Sequence, residues 1–278
     1  MAKHVAVVQD ISGLGRCSLG AALPVLSVLG AHVCPVPTAV FTAQTGYARY
    51  AVQDCAALLQ QCIASWQFHG VALDGIYTGF CGSVAQAQGA QALITAFRKP
   101  GTLLLVDPVL GDDGNRYPCI DDALQAEIAA MATTADVLTP NVTELLLLTG
   151  GNFSAFEQQD EPAQLAILRR ACTQLGVPTV VVTGWRRGSQ VRNLAWQRAS
   201  SGKNAVCNLV QSPAAPGSFS GTGDLFASAL CGGLLRGDSL VASIRRAVRF
   251  LAVALADADP ANGRAGVPFE PHLKELLH

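Results

Sequence analysis

Short apolar runs at positions 4–8, 33–40, 75–78, 102–106, 137–139 and 179–183 alternate with amphipathic stretches at 51–66, 84–97, 123–131 and 162–175. The runs are rich in Val and Leu and lack a polar residue at every second place, which predicts strands buried on both faces of a parallel sheet. The amphipathic stretches predict helices. This βαβα order predicts an α/β fold of three layers, helices on both sides of a mostly parallel central sheet. Ligands then bind beyond the C-terminal strand ends, in the strand-to-helix loops. Near position 191 the rhythm changes. Runs at 191–196 and 205–210 flank Ser200-Ser201-Gly202-Lys203-Asn204, a turn-rich stretch that predicts a hairpin, after which a loop and two helices close the chain. No period repeats, and only 150–161 reads as a linker, so residues 1–278 are expected to form a single domain.

Composition narrows the classes of function. Of 278 residues 50% are apolar and 14% charged, with a formal net charge of −1. That excludes a disordered chain and gives no general attraction to nucleic acid, so a small molecule is the expected partner. The longest stretch free of Asp, Glu, Lys and Arg, 17–48, is broken by Pro24, Pro35 and Pro37 and carries Ser18, His32, Gln44 and Gly46, so it reads as a helix and a buried strand rather than a membrane span. The first eight residues lack the basic and apolar regions of a secretion signal, which makes the cytoplasm the expected compartment. Nine cysteines stand singly without a C-x-x-C pair, and are expected to be reduced and mostly small buried hydrophobes. The five histidines form no zinc-hydrolase pattern, and His4 falls in a predicted core strand. Two glycosylation sequons, at Asn141 and Asn152, have no use in a cytoplasmic chain.

Three acidic motifs carry candidate chemistry. Ser220-Gly221-Thr222-Gly223-Asp224 opens an apolar helix whose Phe226, Leu230 and Leu234 share one face. Small residues leave the backbone N–H groups of a helix N-terminus open to an anion, and Asp224 beside them could take a proton from a hydroxyl. Asp224 would equally complement the helix dipole with no chemistry at all. Thr139-Pro140-Asn141-Val142-Thr143-Glu144 follows a strand. Asn141 and Glu144 have the spacing of a capping box, and could also help hold a hydrated magnesium ion near phosphate oxygens. Asp107-Pro108-Val109-Leu110-Gly111-Asp112 ends the strongest strand signal, where Asp107 is either a turn residue or a ligand at the binding edge. Three such motifs at one sheet edge point together to a site. Gly13-Leu14-Gly15-Arg16-Cys17-Ser18 departs from a dinucleotide fingerprint at Ser18, and no G-x-x-x-x-G-K-[ST] occurs, which excludes a P-loop.

Together with 8–13, 41–47, 78–80 and 182–184, these motifs resemble the ribokinase-like superfamily, and within it the pyridoxal (vitamin B6) kinases, over nearly the whole chain. The resemblance implies a ribokinase-like fold and transfer of the γ-phosphoryl of ATP to the 5′-hydroxymethyl group of a B6 vitamer. In that family the position matching Asp224 is the base, and the amides matching Gly221, Thr222 and Gly223 form the anion hole. Positions matching Asp107, Asp112 and Glu144 serve the metal, those matching Thr139, Asn141 and Thr183 the nucleotide, and those matching Asp10, Thr45 and Phe80 the vitamin. Phe80 stands where many relatives have Tyr, and Asp10 where some have Ser. The implied cofactors are ATP and magnesium, with potassium activation left open, and the implied assembly is a homodimer. The hydroxymethylpyrimidine kinases of thiamine synthesis, on the same fold, are similar at 10–13 and 42–45, but they often carry Cys at the position of Asp224. A catalytically silent binding protein would have no need of a base beside an anion hole.

Overall fold

The computed structural model describes residues 2–199 and 205–278. Its elements, in order, are β1 (Lys3–Ser12), α1 (Ser18–Val28), β2 (Ala31–Phe41), β3 (Val52–Asp54), α2 (Ala56–Phe68), β4 (Gly75–Thr78), α3 (Val84–Phe97), β5 (Leu103–Val106), β6 (Gly111–Asp112), β7 (Asn115–Arg116), α4 (Asp122–Ala132), β8 (Val137–Leu138), α5 (Val142–Thr149), α6 (Phe153–Glu157), α7 (Glu161–Leu175), β9 (Thr179–Arg187), β10 (Gln190–Gln197), β11 (Val206–Pro213), α8 (Thr222–Leu235) and α9 (Leu240–Ala256), followed by two short 3-10 segments, Pro260–Ala265 and Glu270–Leu277.

One sheet of nine strands runs β11-β10-β9-β8-β5-β4-β1-β2-β3. The six strands from β9 to β2 are parallel, while β3 pairs antiparallel with β2 at one edge and, at the other, β10 pairs antiparallel with β9 and β11 with β10. Successive residues of β1 show why the parallel strands carry unbroken apolar runs. Val5 and Val7 pack into the layer of α1, α8 and α9, whereas Ala6 and Val8 pack into the layer of α2, α3, α4, α5 and α7. Both faces are covered by helices, so both favour apolar side chains, and the buried polar residues of β1, Gln9, Asp10 and Ser12, come only toward its C-terminal end. Each fully buried Val or Leu contributes about 1.5–3 kcal/mol, and the two layers draw on dozens of such side chains.

The chain reverses its direction of travel across the sheet between β1 and β4. After β1 it moves to β2 at one side, then crosses back to β4 at the other. Such a switch point opens a crevice at the C-terminal strand ends. Asp10, near the end of β1, and Gly79-Phe80, just past β4, flank it.

Several expectations need correction. The stretch 51–66 is a short edge strand, β3, followed by a helix that begins only at Ala56. Thr42 and Ala51 close that edge through two mutual hydrogen bonds, Thr42 N to the Ala51 carbonyl (3.0 Å) and Ala51 N to Thr42 Oγ1 (2.8 Å). The supposed linker at 150–161 contains α6 and the start of α7. His4 lies in β1 but is exposed, and its backbone N–H is bound by Asp74 Oδ2 at 2.9 Å. Of the nine cysteines, all free, only Cys17, Cys81, Cys172 and Cys231 are buried, and Cys119 is exposed. The predicted turn at Ser200–Asn204 lies outside the described residues, while the strands on either side of it, β10 and β11, pair antiparallel. No helix among the described residues is long and apolar enough to cross a membrane.

Candidate active site

A cleft of 1180 Å³ opens along the C-terminal ends of β5, β8 and β9. Ten of the thirteen candidate residues line it: Asp107 and Asp112, Thr139, Asn141 and Glu144, Thr183, and the run Gly221-Thr222-Gly223-Asp224. The other three, Asp10, Thr45 and Phe80, are not part of its lining.

The run at 221–224 is shaped by backbone constraints. Gly221 is the N-cap of α8 in the left-handed region, with φ +80°, and a Cβ there would come within 1.9 Å of the Arg16 carbonyl oxygen. Only glycine fits. Helices α3, α4, α7 and α9 each have a Ser or Asp side chain accepting a first-turn N–H, but α8 has no side-chain cap. Its first N–H groups therefore face the cleft uncapped, at the positive end of the helix dipole. Asp224 sits in this first turn, half-buried. Burial raises its carboxyl above the usual range, and the Ser18 backbone N–H facing it pulls the other way. Ser18 itself holds φ +50°, a conformation few residues other than glycine adopt.

The Asn141 motif builds the capping box that its spacing implies. Asn141 Oδ1 accepts the Glu144 N–H at 2.8 Å, and Glu144 Oε2 accepts the Asn141 N–H at 2.8 Å. Glu144 Oε1 also accepts the Leu110 N–H at 3.1 Å, and Asn141 Nδ2 donates to the Gly111 carbonyl at 2.8 Å. Both ends of the Asn141 amide are thus engaged in tying α5 to the loop after β5. Asp107 is buried and accepts a hydrogen bond from Thr139 Oγ1 at 3.1 Å. Burial holds its carboxyl well above the usual range, and the charges of Glu144 and Asp224 push the same way. Burial raises Glu144 as well, opposed by the N–H groups of Asn141 and Leu110. Thr183 is joined to this loop by its N–H, which donates to the Pro140 carbonyl at 2.9 Å.

Asp10 lies near the C-terminal end of β1, at the switch point and outside the cleft lining. Burial lifts its carboxyl to about 6; Asp224 adds to the rise, while the Ser18 and Ser12 hydroxyls lower it. Phe80, partly buried, meets Phe41 edge-on with ring centres 6.1 Å apart. Gly79 beside it leaves room for Gln9, whose Oε1 lies 2.1 Å from where a Cβ would stand. Thr45 is exposed, on a loop that Gln44 pins to the α8 approach: Gln44 Nε2 donates to Ser220 Oγ (3.3 Å) and to the Arg264 carbonyl (2.9 Å). Asp224 thus lines the cleft and is also close enough to Asp10, at the switch point, for the two charges to interact.

Sequence reading missed four contributors. Ser18 supplies a backbone donor that no side-chain pattern reveals. Tyr117 reaches the cleft from the base of the β6–β7 hairpin and Arg186 from near the tip of the β9–β10 hairpin, and α9 supplies an apolar wall through Val248, Leu251 and Leu255. The apolar periodicity of α9 was visible, but nothing in it told a cleft wall from core.

Comparison with known proteins agrees with this arrangement. The family model described as phosphomethylpyrimidine kinase matches residues 19–269. A pyridoxine/pyridoxal/pyridoxamine kinase of Bordetella avium is 33% identical over 191 residues, covering 66% of this chain and 60% of its own length. The chain therefore spans less than two thirds of that relative's length. The pyridoxal kinase PdxY of Deinococcus radiodurans is 30% identical over 242 residues, 84% of this chain and 80% of that one. Among solved structures, a Bacteroides thetaiotaomicron protein described as a phosphomethylpyrimidine kinase and crystallised with pyridoxal superposes with a TM-score of 0.91 at 33% identity, covering 100% of this chain and 96% of that one. The uncapped glycine turn before Asp224, the buried carboxylates and these matches have one common account: the chain belongs to the phosphomethylpyrimidine kinase family of the ribokinase-like superfamily, alongside pyridoxal kinases.

Proposed function

We propose that this chain is an ATP-dependent kinase that phosphorylates the 5′-hydroxymethyl group of a B6 vitamer. The observation that carries the reading is the position of Asp224, in the first turn of an uncapped helix, lining the large cleft and close enough to Asp10 for their charges to interact. The cleft has room for a nucleotide, with an apolar wall for the base from α9 and polar strand ends for the phosphates. The crevice offers the Phe80 ring to stack on a pyridine, and Asp10 and Thr45 to meet its substituents.

Asp224 acts as general base. As the substrate oxygen bonds to the γ-phosphorus, the bond from that phosphorus to the β–γ bridging oxygen breaks and ADP leaves. The hydroxyl proton passes to the Asp224 carboxylate, which burial has made a better acceptor than an ordinary aspartate. The N–H groups of Thr222 and Gly223, with that of Gly221, stabilise the charge carried by the transferred phosphoryl oxygens. Thr139 and Thr183 hold the strand ends beside the nucleotide, and Asn141 positions the loop rather than the reacting atoms.

The carboxylates suit a divalent cation. Asp107, Glu144 and Asp224 repel one another in a buried site, and a cation between them and the phosphates relieves that repulsion. Among the described residues no three acidic, His or Cys side chains converge to chelate a metal unaided. Magnesium does not need them to, because it keeps several waters and takes its other ligands from phosphate. Asp107, Asp112 and Glu144 would hold it, Glu144 through water since both its oxygens already accept N–H groups. When bound, it neutralises charge on the β- and γ-phosphate oxygens. The reading also carries a homodimer, on family resemblance, and a cytoplasmic location, on the unpaired cysteines.

Hydroxymethylpyrimidine phosphorylation is the second reading, favoured by the matched family's own description. A coupled assay of ADP release with ATP and magnesium over pyridoxal, pyridoxamine, pyridoxine and hydroxymethylpyrimidine separates the two. Preference for a pyridine is expected. Comparable or better turnover of the pyrimidine overturns the vitamin assignment, and turnover of none leaves a silent binder.

A further inference from the structure

The lining of the large cleft is unbalanced in charge. It includes six carboxylates, from Asp107, Asp112, Asp113, Glu144, Glu157 and Asp224, and a single Lys or Arg, Arg186. For a cleft read as the seat of a polyphosphate, that is the wrong sign, so the one cation it has matters.

Arg186 stands near the tip of the β9–β10 hairpin, one residue before the end of β9. Among the described residues no carboxylate lies within ion-pair distance of it, whereas nearby Arg192 is paired with Glu161 at 2.5 Å and lies over the Trp185 ring. Arg192 is occupied with structure; Arg186 is not. Its one side-chain hydrogen bond is long, from Nη2 to the Gly217 carbonyl at 3.5 Å, on the segment that leads into the α8 turn. Asp112, on the acidic loop after β5, lines the same cleft. The guanidinium is therefore in the cleft wall with the acidic loop and bound to the segment that approaches the anion hole, exposed and with most of its N–H groups uncommitted.

The geometry points to Arg186 as the side chain that grips the polyphosphate of the bound nucleotide, exchanging its weak hold on Gly217 for phosphate oxygens. A guanidinium presents paired donors that match a phosphate edge, and it keeps its charge at every working pH. The inference rests on the nucleotide reading of the cleft and assigns to it a residue outside the acidic and glycine motifs.

The experiment measures the binding of adenosine, ADP and ATP with magnesium to the wild-type chain, Arg186→Gln and Arg186→Lys by calorimetry, with adenosine followed by competition. Arg186→Gln is expected to weaken ATP and ADP roughly tenfold, the scale of one charge-assisted contact, and to leave adenosine unchanged. Arg186→Lys is expected to recover part of the loss. Equal weakening of all three ligands would show that Arg186 acts by holding the Gly217 segment, and would overturn the inference. So would wild-type affinity in both variants. Failure of the wild-type chain to bind any of the three overturns the nucleotide reading itself, a result distinct from a bound wild type matched by its variants. Melting temperatures within a degree or so of wild type confirm that the variants are folded.

Discussion

Asp224→Asn keeps the size and hydrogen-bonding capacity of the side chain but cannot take up a full proton. Turnover is expected to fall by roughly a hundred- to ten-thousandfold, the contribution of a positioned base, while the lost dipole interaction is only about 0.3–1 kcal/mol. Coupled assay and melting together decide the role, because a purely capping aspartate gives the opposite pair of results. Asp10 makes a different prediction. Its carboxyl is raised to about 6 from an ordinary 3.8, so the native state holds that proton more tightly than the unfolded chain. Stability from this group is then highest below about pH 4 and falls as pH rises toward 6. Asp10→Asn removes the penalty, so calorimetric melting should rise by a few degrees near pH 8 and hardly at all near pH 4, on the order of 2 kcal/mol. A gain that is the same at both pH values would refute it. Asp224 and Glu144 were legible from the sequence because each sits in a motif whose spacing has a mechanical meaning. Ser18 and Arg186 were not, since one contributes only its backbone and the other a surface charge like the rest.

The first turn of α8 offers a matched pair of glycines. Gly221→Ala forces a methyl group against the Arg16 carbonyl in a backbone region that alanine avoids, so both stability and turnover should collapse. Gly223 has nothing within 4 Å of a Cβ, and Gly223→Ala should fold, gaining about 0.5–1 kcal/mol of helix stability. If phosphate packs against this turn, the same methyl raises KM for ATP and leaves KM for the vitamin alone. An unchanged KM for ATP would move the phosphate elsewhere. At this scale the order of strands and helices was readable, because burial on both faces writes an unbroken apolar run for each central strand. The edge strand β3 was not, since all three of its residues, Val52, Gln53 and Asp54, are exposed and carry no burial pattern to read. The helix start at Ala56 was obscured for a related reason: the N-cap, Cys55, makes no side-chain cap bond and belongs to no capping residue type.

Across the whole molecule the nine free thiols divide by burial, and reactivity should follow. Native thiol titration is expected to label exposed Cys119 first and to leave Cys17, Cys81, Cys172 and Cys231 nearly inert, as burial pushes each of those four up to about 12. Denatured protein alkylated without prior reduction should carry nine labels, and fewer would reveal a disulfide. A second property of the molecule follows from how its acids are held. Asp224 is faced by the N–H of Ser18, Glu144 by those of Leu110 and Asn141, and the anion site by the first turn of α8. These donors belong to the main chain, so exchanging the side chain that bears one does not delete it. A survey of every substitution at position 18 should accordingly show an inverted profile. Glycine, whose backbone accepts φ +50° without strain, keeps the donor and loses only the hydroxyl that serves Asp10, other small residues stay active, and proline alone erases the donor, so this part of the chemistry is inherited with the fold rather than with the residue.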